Sequence, residues 1–167
     1  MVGCSDEVID MKYFRVDERL IHGQVLLKWL KKTGCERLFI VDNQVAADPV
    51  IQSVLKMSVP GNVKAEFLTV IEGRTKIRED TEDIFILIKE LETVCRLADA
   101  GILTESVNIG RLPYMRGKKK ICDNVFIGEK EGEEMMRLLD QGTKIFVQMV
   151  PDSEPVSLTR EMIRGEV

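Results

Sequence analysis

The chain contains one histidine, His22, and its neighbours are of the types that hold a transferable phosphoryl group. It stands in the run Phe14-Arg15-Val16-Asp17-Glu18-Arg19-Leu20-Ile21-His22-Gly23-Gln24-Val25, with an arginine three residues before it and a glycine directly after. An imidazole with an ordinary pKa of about 6.5 is largely neutral at pH 7 and keeps one ring nitrogen as a nucleophile. Arginine can give charge-assisted, bidentate hydrogen bonds to phosphoryl oxygens, which is the part Arg19 would play. Gly23 removes a side chain where a phosphate or a partner's backbone must come close. A structural or solvated histidine is the plainer alternative, and the elements around His22 argue against it.

Met11–Val16 is rich in β-branched and aromatic residues and reads as a strand. From Ile21 the apolar residues Ile21, Val25, Leu26, Trp29 and Leu30 recur at helical spacing, predicting a helix over Ile21–Thr33. His22 then belongs to the first helical turn, where backbone N–H groups lack intrahelical partners and the helix dipole favours an anion. Further strands are predicted at Arg37–Asp42, Val63–Leu68, Asp83–Ile88, Ser106–Ile109, Ile121–Ile127 and Lys144–Val150. Further helices are predicted at Asp48–Met57, Val70–Glu79, Glu90–Ala100 and Glu129–Leu139. Gly34, Gly101 and Gly142 follow helical runs at stop positions, and Asp48-Pro49 is a helix start. The alternation predicts an α/β fold: an open, mostly parallel central sheet of about seven strands with helices on both faces. Residues 11–167 read as one domain, residues 1–10 as a poorly ordered polar extension, and the tail after Pro151 as a short strand or helix packed on the body. Ligands of such sheets bind outside the carboxyl ends of the strands. His22 therefore shares a rim with Asp42–Asp48 and Thr69–Gly73, the latter a possible source of backbone donors.

Composition narrows the class of protein. With 44% apolar and 31% charged residues the chain suits a soluble globular domain. A net charge of −4 argues against a nucleic-acid binder. No stretch approaches the roughly 20 apolar residues that span a bilayer, and no secretory signal opens the chain, so direct membrane insertion is not expected and the cytoplasm is. The four cysteines, Cys4, Cys35, Cys95 and Cys122, are scattered, and with a single histidine they assemble no familiar zinc site. Cys95 shares an apolar helix face with Leu91, Val94 and Ala98, which favours packing. No metal, cofactor or nucleotide is called for.

The segment RVDERLIHGQV closely resembles the active-site signature of the IIB components of the mannose/fructose/sorbose family of the bacterial phosphotransferase system. That family reads R-(I/V)-D-(D/E)-R-L-I-H-G-Q-V near its N-terminus. The resemblance continues through Leu38–Asp48, through Val107-Asn108-Ile109-Gly110 and into Lys144–Pro151, covering most of the chain from Met11. It implies a sugar phosphotransferase (EIIB) whose His22 carries phosphohistidine, with Asp17 and Arg19 flanking the pocket. The partners implied are a IIA phosphodonor, the membrane components IIC and IID, and the sugar that they bind. In this frame Arg19 binds the phosphoryl oxygens, and Asp17 orients Arg19 or the imidazole. Simple capping or an ion pair with Arg15 is the alternative for Asp17, and Glu18 is expected to face solvent.

The chain departs from the family where Arg111-Leu112-Pro113-Tyr114-Met115-Arg116-Gly117-Lys118-Lys119-Lys120 replaces a further glycine and methionine, and where Asn43-Gln44 replaces an acidic pair. The basic run reads as a solvated loop, or as one that docks an acidic IIA surface or lies near anionic lipid. Two other functions fit the motif. One is a regulatory phosphoprotein phosphorylated on His22 that passes nothing to sugar. The other is a small-molecule enzyme using His22 as general base, with Asp17 orienting it.

Overall fold

The apolar runs stack side by side into one sheet because their residues are apolar on both faces. Ile84–Ile88 is buried at every position, and Leu38, Phe39, Ile40 and Val41 are equally enclosed. In the computed structural model, which describes residues 11–102 and 104–166, the strands are β1 (Lys12–Asp17), β2 (Arg37–Val41), β3 (Lys64–Leu68), β4 (Ile84–Ile88), β5 (Ser106–Arg111), β6 (Lys119–Cys122), β7 (Val125–Ile127), β8 (Lys144–Val147) and β9 (Val156–Ser157). The helices are α1 (Gly23–Thr33), α2 (Asn43–Ala46), α3 (Pro49–Lys56), α4 (Val70–Glu79), α5 (Leu91–Asp99), α6 (Glu129–Asp140) and α7 (Arg160–Arg164). The expectation about residues 1–10 lies outside the described residues.

The main sheet has seven strands in the order β3-β2-β4-β1-β5-β8-β9, all pairs parallel except β8–β9. From β1 the chain steps one way to β2 and β3, then returns through β4 and crosses to β5 and β8. With right-handed crossovers, those two directions send helices to opposite faces. Two cores result. Leu26 and Leu30 of α1 and Val45 of α2 pack with Leu38, Ile40, Phe85 and Leu87 on one face. Residues of α4 to α7, including Val70, Ile77, Leu91, Val94, Cys95, Met135, Leu138 and Ile163, cover Phe14, Val16, Phe39, Ile86 and Val107 on the other. The α/β architecture with helices on both faces is as the sequence predicts. Gly34 terminates α1 in the left-handed region at φ 73°, its N–H bonded to Leu30 O at 2.8 Å.

The structure corrects several boundaries. The predicted strand Ile121–Ile127 is a two-stranded hairpin, β6–β7, outside the main sheet, because Asp123-Asn124 forms a turn with Asn124 at φ 62°. The seventh strand of the sheet is β9, from the tail, which also forms α7. The predicted strand Lys144–Val150 ends at Val147 because the Gln148 and Met149 carbonyls turn to a buried arginine, described below. The α2 turn within the predicted loop Asp42–Asp48 is additional.

Candidate functional site

His22 emerges at the carboxyl edge of β1, the strand flanked by β4 and β5. The segments following those neighbours leave toward the face opposite α1, so His22 sits at a topological switch point. It is the N-cap of α1 and not a member of its first turn: φ −118° and ψ 89° lie outside the helical region. Its carbonyl accepts from Val25 N at 2.9 Å and Leu26 N at 3.2 Å. The Gly23 and Gln24 N–H groups have no acceptor among the described residues. The imidazole caps nothing and is exposed. A Cβ on Gly23 would meet nothing within 4 Å. The approach to His22 is therefore open over its own helix terminus.

The turn from β1 to His22 holds its shape through core contacts and a buried carboxylate. Leu20 takes φ 55°, a left-handed backbone that costs a bulky residue on the order of 1–2 kcal/mol. Burial of Leu20 and Ile21 in the α1-side core holds it there. Asp17, 1% exposed, accepts through Oδ1 from Arg19 N (3.1 Å) and Arg19 Nε (3.0 Å). Through Oδ2 it accepts from Arg19 Nη2 (3.0 Å) and Arg15 Nη2 (3.2 Å). Asp17 thus caps the turn, pairs with Arg15 and orients Arg19, so these readings coexist. None of its four bonds comes from the imidazole. The two-pronged pair fixes the Arg19 guanidinium plane and leaves Nη1 with no partner among the described residues. The bond to Asp17 pushes the Arg19 pKa up, and its side chain remains 21% exposed.

Sequence reasoning offers Arg15 only as an ion-pair alternative for Asp17, and its wider place in the site is new. Arg15 is 2% exposed, donates to Gln148 O (2.9 Å) and Met149 O (3.1 Å), and also bonds Asn108 Oδ1. Its guanidinium lies 5.4 Å from the centre of the Trp29 ring, whose Nε1 donates to Met149 O at 3.0 Å. Burial pushes the Arg15 pKa down to about 10, against the pull of Asp17, so it is still a cation at pH 7. Two arginines around one carboxylate leave a net single positive charge at the turn that leads from β1 to His22. The available signal was the Arg15/Asp17 spacing, which puts both side chains on one face of β1. The Arg15 partners Asn108 on β5 and Gln148 just past β8 are 93 and 133 residues away in the chain.

The other rim candidates serve local structure. Neighbouring strands lie about 4.8 Å apart, so β2 is about 10 Å and β3 about 14 Å across the sheet from β1. Asp42 caps α2 through Val45 N (2.9 Å), and Asp48 caps α3 through Val50 N (3.0 Å). The donors expected of Thr69–Gly73 are largely consumed: Thr69 N by Glu72, Val70 N by Asn43, Glu72 N by Thr69 Oγ1 and Gly73 N by Thr69 O. Glu18 does not simply face solvent but is half-buried and pairs with Arg111 Nε at 3.2 Å. In the basic run, Lys118 pairs with Glu131 and Lys120 with Asp123. Most of its charge is therefore answered within the chain. Among the described residues no cluster suits a metal ion, and no helix is long and apolar enough to cross a membrane.

The site is thus an exposed histidine at a switch point of a mostly parallel α/β domain, in a turn built on a buried arginine–carboxylate network. The chain belongs to the sorbose-subfamily IIB components of the phosphotransferase system, whose family model matches residues 11–165. It is 32% identical over 139 residues to the mannose-specific EIIAB component of Escherichia coli, covering 81% of this chain but 43% of that protein. It is 30% identical to the sorbose-specific EIIB component of Lacticaseibacillus casei, covering 91% of this chain and 96% of that one. Among solved structures, the N-acetylgalactosamine-specific IIB component 1 of E. coli superimposes with a TM-score of 0.85 at 26% identity, covering 90% of this chain and 100% of that one. The IIBSor domain of the sorbose permease of Klebsiella pneumoniae shares the fold with a TM-score of 0.86 at 23% identity, over 95% and 99% of the two chains.

Proposed function

We propose that this chain is a phosphocarrier that accepts a phosphoryl group on His22 from a phosphorylated IIA protein in the cytoplasm and passes it to a sugar held by the membrane components IIC and IID. The observation that carries the reading is the exposed His22 N-cap, three residues along the same turn from Arg19, whose guanidinium Asp17 holds with Nη1 unused. A His22 ring nitrogen attacks phosphorus in line, a new N–P bond forms, and the N–P bond to the donor's histidine breaks with its electron pair returning to that imidazole. In the second transfer a sugar hydroxyl attacks, the O–P bond forms, the N–P bond at His22 breaks, and the hydroxyl proton leaves to base or solvent. Such transfers need positioning and charge stabilisation more than covalent help from the protein. Arg19 Nη1 and the free N–H groups of Gly23 and Gln24 are the donors available for the phosphoryl oxygens.

The test is phosphoenolpyruvate-driven labelling with enzyme I, HPr and a cognate IIA protein, comparing wild type with His22→Ala. Acid-labile, base-stable label on the wild type alone supports the proposal. Label retained on His22→Ala overturns it. Label on His22 that no sugar removes when IIC and IID are supplied would favour the regulatory phosphoprotein instead.

A further inference from the structure

We infer that Gly110 is a positioning residue for phosphoryl transfer at His22: its missing side chain is the space in which Arg15 and Asp17 meet, and through Asp17 it sets the Arg19 guanidinium. The inference rests on the function proposed above. Parallel pairing of β1 with β5 runs Phe14 to Val107, Arg15 to Asn108 and Val16 to Ile109, then jumps to Asp17 opposite Arg111. Gly110 is the residue passed over, a bulge placed where β1 reaches the site. Bulges beside functional sites re-aim side chains, and a glycine within a strand marks close approach of another group.

What approaches Gly110 is the charged pair itself. A Cβ there would lie 2.5 Å from Arg15 Cζ and 2.6 Å from Asp17 Oδ2, and closer still to Arg15 Nη2. Gly110 does not take the positive φ that would call for glycine on conformational grounds, so volume and not backbone freedom is what it supplies. Neither side chain can withdraw easily. Arg15 is tied on its other sides by Asn108, the Gln148 and Met149 carbonyls and the Trp29 ring, and Asp17 by three donors of Arg19. A methyl group at position 110 must therefore separate Arg15 from Asp17 or rotate the carboxylate, and the two-pronged hold on Arg19 is lost in either case.

The experiment measures His22 labelling rates against phospho-IIA concentration for the full 167-residue chain and for G110A, R15K and G110A/R15K, with circular dichroism to confirm folding. Misplacement of a charged group by about 1 Å costs up to about a hundredfold in rate. For G110A we expect kcat to fall about tenfold to a hundredfold with KM little changed and one phosphoryl group per chain at completion. R15K deletes the Nη2 atom that the added Cβ meets most closely and leaves the Asp17 Oδ2 contact, so the loss in G110A/R15K should be smaller than the product of the two single losses. A folded G110A that labels within about twofold of wild type overturns the inference, as does a double variant whose loss is the product of the two single losses. A purely structural role for Gly110 would lower melting temperature and leave kcat per folded molecule intact, which also overturns it. Should G110A fail to fold, R15K alone decides: lower kcat at constant KM supports the inference, and unchanged kcat refutes it. Absence of label on the wild type would instead refute the proposed function.

Discussion

Asp17→Asn removes one charge and nearly no volume, and the structure indicates what that charge does. In the native protein the carboxylate is 1% exposed and accepts four hydrogen bonds, three from Arg19 and one from Arg15. Without it Arg15, 2% exposed, keeps carbonyl and amide partners but loses its counter-charge. Breaking a buried ion pair by removing one partner costs about 3–5 kcal/mol. The asparagine oxygen can still accept from Arg19 N, which places the expected loss at about 3 kcal/mol. With a urea slope of about 2 kcal/mol per molar, the unfolding midpoint should fall by about 1.5 M. Trp29 is the single tryptophan and lies against Arg15, so its fluorescence reports the transition from within the network. Arg15→Met/Asp17→Asn supplies the control: with the stranded cation gone, the double variant should be less destabilised than the two single losses added together. A loss below about 1 kcal/mol for Asp17→Asn, or strict additivity in the double variant, would show that the pair does not act as described.

Other consequences follow from the same structure. Arg19→Ala removes a charge-assisted donor worth about 1.5–3 kcal/mol and should slow labelling of His22 about tenfold to a hundredfold while circular dichroism stays native; an unchanged rate would remove Arg19 from the site. Burial raises the Cys95 thiol to about 11 and pushes Cys35 up as well, so both should resist iodoacetamide in the native protein at pH 8 and react after unfolding, as peptide mass spectrometry would read. Gly34→Ala forces a Cβ into the left-handed cap at φ 73° and should cost about 1 kcal/mol, a melting shift of about 2–4 °C. Thr69 N–H and Oγ1 hold the Glu72 carboxylate below its ordinary range. That depressed folded-state pKa contributes stability above the unfolded value, lost as pH falls through the folded one. Thr69→Ala should therefore lower the melting temperature more at pH 7 than at pH 3; an equal fall at both would refute the coupling.

Much of this protein could be read along the chain because the signals are local. The Ile21–Leu30 periodicity, Gly34 at φ 73° and Asp48-Pro49 each act within a turn or two of helix. The all-apolar Phe85–Ile88 run marks a strand buried on both faces wherever it sits in the sheet. His22, Arg19 and Asp17 fall within six consecutive residues, so their proximity required no fold. Errors arose where a short polar turn interrupted an apolar run, as at Asp123-Asn124, or where a carbonyl was needed elsewhere, as at Gln148.

The tertiary structure decided which candidates meet. Asp42, Asp48 and Thr69 follow strands just as His22 does, but the order β3-β2-β4-β1 sets them two and three strands away, where they cap helices. Whether Asp17 caps, pairs or orients was undecidable from its neighbours, since all three partners lie in reach along the chain. Burial made it do all three. Arg15 acquired its surroundings from Asn108, Gly110, Gln148 and Met149, residues that strand pairing alone brings to β1. A buried charge is tolerated only where enough donors and acceptors converge from several elements, and such convergence is a property of the folded sheet.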